Sequence, residues 1–385
     1  MFIKIYGKVS IADLNWSSVQ NGELLRNFYE PVVKRSSKVF VQNSDHQVEI
    51  LQVDDVLFPL TIAKKYTKNT CYLFSFMAQY IDYTREEILG HGKYSWFQKI
   101  VSRLVFPLLK TLVSWCGMEK VVFVNNLFLA TNLYEKGTAI GHNRVIQYLK
   151  EHYTDSTIAF RSINEATDRW LLDELHVQGG LHLACRQLYI LDPAKSNFKR
   201  KRPVIQDNKL WKTTKELFWE KLSRFDEKEI HTLLQYYSDL YRKKYSKLNP
   251  DYTLEFLQAT IKSGVPDFYV LRAGKTNIPL AVQAVETTID VVCTPFIGYD
   301  QTVPKKVGLY RLMNLQLTKL AIEEKRVFNM SSGAANFKKQ RGGVPFFDYH
   351  VIFIDHLPKR RQWPWKQLHA ISESKIKPTM RDLGV

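Results

Sequence analysis

The chain has 385 residues, of which 45% are hydrophobic, 24% charged and 13% aromatic. That length exceeds one ordinary domain and suits two, and the composition excludes a mainly disordered chain. Lys and Arg number 55 against 38 Asp and Glu, a formal charge of +17, and residues 301–385 alone hold 16 basic and 6 acidic side chains. An anionic partner is expected, first of all near the C-terminal part. A solvated basic surface is the competing reading. Cys71, Cys116, Cys185 and Cys293 lie far apart with no CxxC, the pattern of a reducing compartment. His182 and Cys185 have ligand spacing but no second pair answers them, so no metal is expected. The N-terminus lacks an unbroken apolar run, and the apolar region 101–134 is interrupted by Arg103, Lys110, Glu119 and Lys120. Neither a signal peptide nor a membrane span is expected, and the expected location is cytoplasmic.

In the first half, residues 46–65 read as strand, turn at Asp54–Asp55, strand, and 69–80 as a third strand. Residues 102–117 carry Val105, Leu108, Leu109, Leu112 and Trp115 at helical spacing, and VVFVNN (121–126) follows as a buried strand. Residues 156–180 read as strand, loop, helix, and 182–192 as the last strand of this half. The polar, basic stretch 196–209 has no apolar period and reads as a linker. The expected organisation is a first domain over 1–195, the linker 196–209 and a second domain over 210–385.

In the second half, 213–225, 227–244 and 251–264 read as amphipathic helices, the last stopped by Gly264. Residues 267–273 and 278–288 form a hairpin, and 290–300 is a third strand. Pro295 sits inside that strand, which requires a bulge or an edge. Residues 307–325 place Leu309, Leu312, Met313, Leu317 and Leu320 at helical spacing, and the strand VFNM (327–330) follows. A long strand (343–355) and a basic helix around 364–373 close the chain. The helix and strand of 102–126 match those of 307–330, which suggests an internal duplication. The fold class is mixed α/β, with a mostly antiparallel sheet flanked by helices.

A broken third strand followed by a loop and a helix makes an anion site. The bulge frees backbone groups from the ladder, and the helix offers unpaired N–H groups at the positive end of its dipole. A diphosphate fits there. The expected cradle is Pro295, Phe296 and Ile297 at the break with Lys305, Lys306, Val307, Gly308 and Leu309 at the helix start. Gly308 is expected to let the backbone approach the ligand, so that Gly308→Asp would abolish binding without unfolding the chain. An ordinary basic helix start is the competing reading.

The segments PFIGYD (295–300), KKVGLY (305–310) and FNMSSGAANFKKQRGGVPFFDYHVIFIDHLP (328–358) resemble the GNAT acyl-CoA N-acyltransferase superfamily. The closer resemblance is to its tandem-domain, Fem-type branch, with RSINEAT (161–167) and CRQLYILDP (185–193) similar to the matching part of a first repeat. Lys305-x-x-Gly308-x-Tyr310 departs at both ends from the family's Arg/Gln-x-x-Gly-x-Gly/Ala loop.

The resemblance implies two GNAT-like domains, the first a degenerate copy. It also implies N-acyl transfer from acyl-CoA, acetyl-CoA included, to a small-molecule or peptide amine, with aminoacyl-tRNA as the second candidate donor. Under it, Glu286 is the candidate general base, and Tyr299 and Tyr310 are candidates to contact substrate or protonate a leaving thiolate. Asp300, Ser331, Ser332 and Asn336 are candidate substrate contacts, with Lys338 and Arg341 as exposed-loop cations for an anionic substrate. Asp348 and His350 share a face of the last strand as a second-rank pair. The alternative from another class is a non-catalytic binder of nucleic acid or another polyanion, supported by the charge and by aromatics among lysines in 210–221.

Overall fold

The computed structural model describes residues 1–68, 70–90, 95–136, 143–195, 197–223 and 226–383. The first half runs β1 (Ile3–Tyr6), α1 (Gly22–Lys34), β2 (Gln47–Val53), β3 (Val56–Ala63), α2 (Thr84–Gly90), α3 (Trp96–Trp115), β4 (Val121–Val124), α4 (Asn143–His152), β5 (Thr157–Asn164), α5 (Arg169–Val177) and β6 (Leu181–Leu191). The second half runs α6 (Arg202–Thr213), β7 (Leu217–Lys221), α7 (Glu227–Ser238), α8 (Leu254–Ser263), β8 (Asp267–Ala273), β9 (Pro279–Thr287), β10 (Val291–Cys293), β11 (Ile297–Tyr299), α9 (Leu309–Glu323), β12 (Val327–Ser332), α10 (Ala335–Lys339), β13 (Val344–Phe353), α11 (Lys359–Ile371) and α12 (Lys377–Leu383).

One sheet runs through the chain in the order β1-β2-β3-β4-β5-β13-β6-β12-β10-β9-β8-β7, with β11 paired to β9 beside this path. Among the described residues only β4–β5 and β10–β12 pair in parallel; the other ladders are antiparallel. The mixed α/β class with a mostly antiparallel sheet is the one expected from the sequence. The order reads the same from both ends when β1 is matched with β7, β2 with β8, β3 with β9, β4 with β10, β5 with β12 and β6 with β13. The two halves therefore repeat one topology, and each lends its last strand to the other, β13 beside β5 and β6 beside β12.

This match corrects the repeat expected from the sequence. The counterpart of α9–β12 is α4–β5, joined in both halves to a parallel neighbour, and not helix 102–117 with strand 121–126. Helix α3 lies between β3 and β4, where the second half has only the turn between β9 and β10. It is an addition to the first half.

Three elements differ from expectation. Of the expected strand 69–80, residue 69 lies outside the described residues, and the rest is not a strand: Tyr72–Phe74 and Met77–Tyr83 are helical turns, with Cys71 Sγ accepting from Leu73 N–H at 3.4 Å. Leu73, Phe74, Phe76, Met77 and Ala78 are all buried, and a continuous apolar run has no period to tell strand from helix. Residues 217–221, expected within a helix, form the edge strand β7, where Leu217 and Trp219 pack inward while Phe218 is exposed, an alternation of period two. Residues 202–213, within and beyond the expected linker, are helix α6, opened by Pro203 in its first turn. Local signals fix other boundaries. Thr253 caps α8 by accepting from Phe256 N–H, Gly264 ends it at φ 65°, and Asp226 caps α7 through Glu229 N–H.

Odd and even residues of β9 face opposite sides. Ala281 and Val285 pack under α6 and α9, whereas Val282 and Ala284 join the core built with α1, α7 and α8. Among the described residues no helix is long and apolar enough to cross a membrane.

Candidate functional site

Pro295 breaks the third strand of the second half as its chemistry requires. Cys293 pairs with Glu286 and Ile297 pairs with Gln283, so Thr294, Pro295 and Phe296 stand opposite only Ala284 and Val285. This is a bulge of one extra residue. It is held by Ala284 N–H donating to the Phe296 carbonyl at 2.8 Å and by the Phe296 ring, which stacks on Tyr237 at 4.6 Å. Before the break, β10 runs parallel to β12, with Cys293 opposite Asn329. After it, β11 follows β9 alone, and β12 continues beside β6 with Ser332 opposite Leu188. A gap therefore opens between β11 and the end of β12.

The start of α9 borders this gap. Asp300 Oδ1 accepts from both Thr302 N–H (2.8 Å) and Thr302 Oγ1 (2.6 Å), closing the turn that leads into Lys305–Val307. Lys305 and Lys306 are exposed. Gly308 takes φ 72°, and no side chain caps α9. Gly308 is needed for that backbone angle and for packing: a Cβ there would meet Leu210 of α6 at 2.8 Å. The atom it meets is the terminal Cδ2 of Leu210, which can turn aside, so Gly308→Asp is still expected to abolish binding without unfolding the chain. Gly308→Ala is expected to lower unfolding stability by about 1–2 kcal/mol, from left-handed strain and this contact, as measured by urea titration.

Aromatic rings line the mouth. Tyr310 on α9 lies 6.4 Å from Tyr299 on β11 and 4.7 Å from Phe337 on α10. Burial, and then the Tyr299 and Tyr245 phenols, push the Tyr310 hydroxyl up to about 12, so it keeps its proton at neutral pH.

On the β12 side the chain turns sharply. Ser331, Gly333 and Ala334 take φ 61°, 75° and 49°, and Asn329 Oδ1 accepts from Ser331 N–H at 2.9 Å. Such left-handed geometry in non-glycine residues is held only by surrounding structure. The carbonyls of Ser331 and Ser332 accept from Lys338 Nζ at 3.0 and 2.6 Å. Asn336 is exposed on α10.

Lys338 and Arg341, expected as exposed-loop cations, are both buried. Arg341 is held by Asp207 of α6, a helix the sequence reading lacked, and Lys338 lies against the Ser331 and Ser332 carbonyls and near the Tyr189 ring. Burial, followed by the nearby Arg186 charge, pushes the Lys338 ammonium down to about 7. Two of its three possible donors are used on carbonyls, so one remains for a ligand. Arg341 is committed: its guanidinium grips Asp207 through Nε (2.6 Å) and Nη2 (3.1 Å) and lies 3.5 Å over the Phe337 ring. Asp207 also binds Arg311 of α9 at 2.6 Å, so one buried carboxylate ties α6, α9 and the segment after α10 together.

Glu286 lies on β9 directly opposite Cys293, on the sheet face away from α9. Its Oε2 is 3.8 Å from Cys293 Sγ, and Leu133 N–H from the first half donates to the carboxylate. Burial outweighs both contacts and pushes the carboxyl up to about 7. Asp348 and His350 share a face as expected, but in different company. Asp348 binds Arg186 at 2.6 Å and His350 Nε2 meets Gln79 at 2.9 Å.

Two residues that sequence reasoning missed organise the site. One is Asp207. The other is Arg186 on β6, which binds Asp348 and Thr131 (2.8 Å) and whose charge acts on both Lys338 and Cys293. A single Arg within the apolar strand 181–191 was the available signal. Among the described residues no group of three His, Cys, Asp or Glu could hold a metal ion.

Neither a protein-family model nor a curated protein matches the chain. Among solved structures, the chain is similar to L-PGS from Bacillus licheniformis at 13% identity, with 61% of this chain and 77% of that one covered and a TM-score of 0.44. It is similar to FemX at 10% identity, covering 60% and 81%, with a TM-score of 0.43. A tandem GNAT protein from the clavulanic acid biosynthesis pathway is 7% identical, covering 91% and 98%, with a TM-score of 0.36.

Proposed function

We propose that the chain is an N-acyltransferase, moving an acyl group from acyl-CoA, or less readily from aminoacyl-tRNA, to an amine. We read 1–195 as a degenerate repeat and 210–385 as the repeat that binds the donor, with the final strands exchanged between them. The observation that carries this is the gap left by the Pro295 bulge beside the uncapped start of α9. Aligned N–H groups and two exposed lysines there suit a diphosphate.

The chemistry asked of the site is modest. The acceptor amine must lose a proton before or as its lone pair attacks the acyl carbon, and a carboxylate titrating near 7 is matched to that task. Glu286, next to the bulge on the sheet face opposite α9, is the base in this reading. The C–S or C–O bond to the donor then breaks, and the leaving group takes a proton from Tyr310, with Tyr299 beside it. Lys338 uses its remaining donor on the substrate near Ser331, Ser332 and Asn336. Asp300 sets the loop, and Arg341 acts through Asp207 as a positioning residue.

Intact mass spectrometry of the purified protein under non-denaturing conditions is expected to reveal bound CoA or acyl-CoA. Calorimetry with CoA should give affinity that weakens on Lys305→Ala and Lys306→Ala. Absence of any CoA binding, with salt-sensitive RNA binding in its place, would favour the polyanion-binding reading.

A further inference from the structure

Helix α3 is built inside out. Its inward stripe contains Ser102 and Val113, both buried, and Lys110, whose Nζ binds Asp82 at 2.8 Å. Its outward face is apolar along the whole length: Trp96 is 74% exposed, Leu104 66%, Leu108 73% and Trp115 68%. Monomeric proteins rarely leave such a continuous strip uncovered, and a 20-residue helix presents it over about 30 Å. The helix is also the element that the repeat does not require, since the second half passes from β9 to β10 by a turn. Its apolar face therefore answers a need outside the shared fold.

Basic side chains prevail on α3 itself, while Asp82 is bound to Lys110 and exposed Glu86 and Glu87 lie on α2, which packs on it. From Trp96 to Met118 the chain has no acidic residue and carries Lys99 and the exposed Arg103. At the C-terminal end of α3, helix α11 adds Arg360, whose guanidinium lies 5.3 Å from the Trp115 ring, together with exposed Lys359, Trp363 and Lys366. Leucines bounded by tryptophans and cations, with no acid on the helix itself, form the surface of a helix that lies in a lipid headgroup region. A second copy is a poor occupant, because stacking two such faces would bring Arg103 and Arg360 of each against like charges. An anionic bilayer satisfies both the strip and its rim.

We propose that α3 and the adjoining exposed side of α11 dock the protein in the plane of an anionic lipid membrane, without spanning it. Flotation with phosphatidylcholine vesicles containing one third phosphatidylglycerol tests this. The full chain is expected to float with them, to show a blue-shifted tryptophan emission, and to stay behind with phosphatidylcholine alone or in high salt. The double variant Leu104→Glu/Leu108→Glu, altered only at exposed positions, should keep its melting temperature and lose at least about tenfold in vesicle partitioning.

Equal flotation of wild type and variant would overturn the proposal. So would a dimer in light scattering that the variant turns into a monomer while the wild type ignores vesicles. Should the double variant fail to fold, wild-type fluorescence quenching by brominated lipid decides. Quenching that falls on Trp96→Phe and Trp115→Phe supports the membrane face, and quenching unchanged by both refutes it.

Discussion

Replacing Asp207 by Ala should destabilise the protein by about 3–5 kcal/mol, the usual cost of stripping one partner from a buried ion pair. Asp207 is buried, and so is Arg341, which holds it through two hydrogen bonds. Without the carboxylate that guanidinium would be left in apolar surroundings with only the Phe337 carbonyl as acceptor. Arg311 is one-third exposed and can turn to water, so Arg311→Ala should cost much less. The same substitution loosens α6 from α9 and from the segment after α10, which widens the gap below Tyr310. Urea unfolding of the two variants measures the difference. Equal losses would mean that Asp207 acts through Arg311 and not through Arg341.

Glu286→Gln should separate stability from activity. The folded protein holds the Glu286 proton up to about pH 7, whereas its ordinary value is 4.5. Between those values the folded state binds a proton that the unfolded chain has released, so stability falls as pH rises through this window and the full cost is present above 7. Glutamine keeps an acceptor for Leu133 N–H and carries no charge. The variant should match the wild type at pH 4 and exceed it by about 3 kcal/mol at pH 8, read from thermal or urea unfolding. Acyl transfer should drop by about 10²–10⁴-fold, and its rise with pH toward 7 should disappear. Full activity with an unchanged pH profile would assign proton removal to another group. Lys338, pushed down to about 7 at the turn after β12, would be next to test.

The bulge needed only one residue to be foreseen. Pro295 has no N–H and cannot sit in a regular ladder, so a break between 290 and 300 was legible before any coordinates. Helix 309–323 and the strand after it followed from leucine spacing, and the hairpin 267–287 from two alternating runs around GKTN. The misread elements share a cause. The apolar residues of 69–80 fall without a single period, and residues 213–225 mix a two-residue alternation with helix-forming Lys and Glu. In both, the pattern within the segment fits two structures, and packing chose between them.

Sequence alone determined the fold class, the broken strand and the position of the basic loop, because these depend on backbone chemistry and on periods a few residues long. Tertiary structure decided the rest. The exchange of β6 and β13 joins strands about 160 residues apart, and no local propensity encodes such a register. Arg341 became buried against Asp207 of α6 and Lys338 against the turn after β12, and Glu286 gained its raised affinity for a proton because burial closes off water and outweighs the Leu133 hydrogen bond. Charge and burial at a site are properties of what covers it. The cover comes from segments far away in the chain, so the letters around a residue name its chemistry but not its environment.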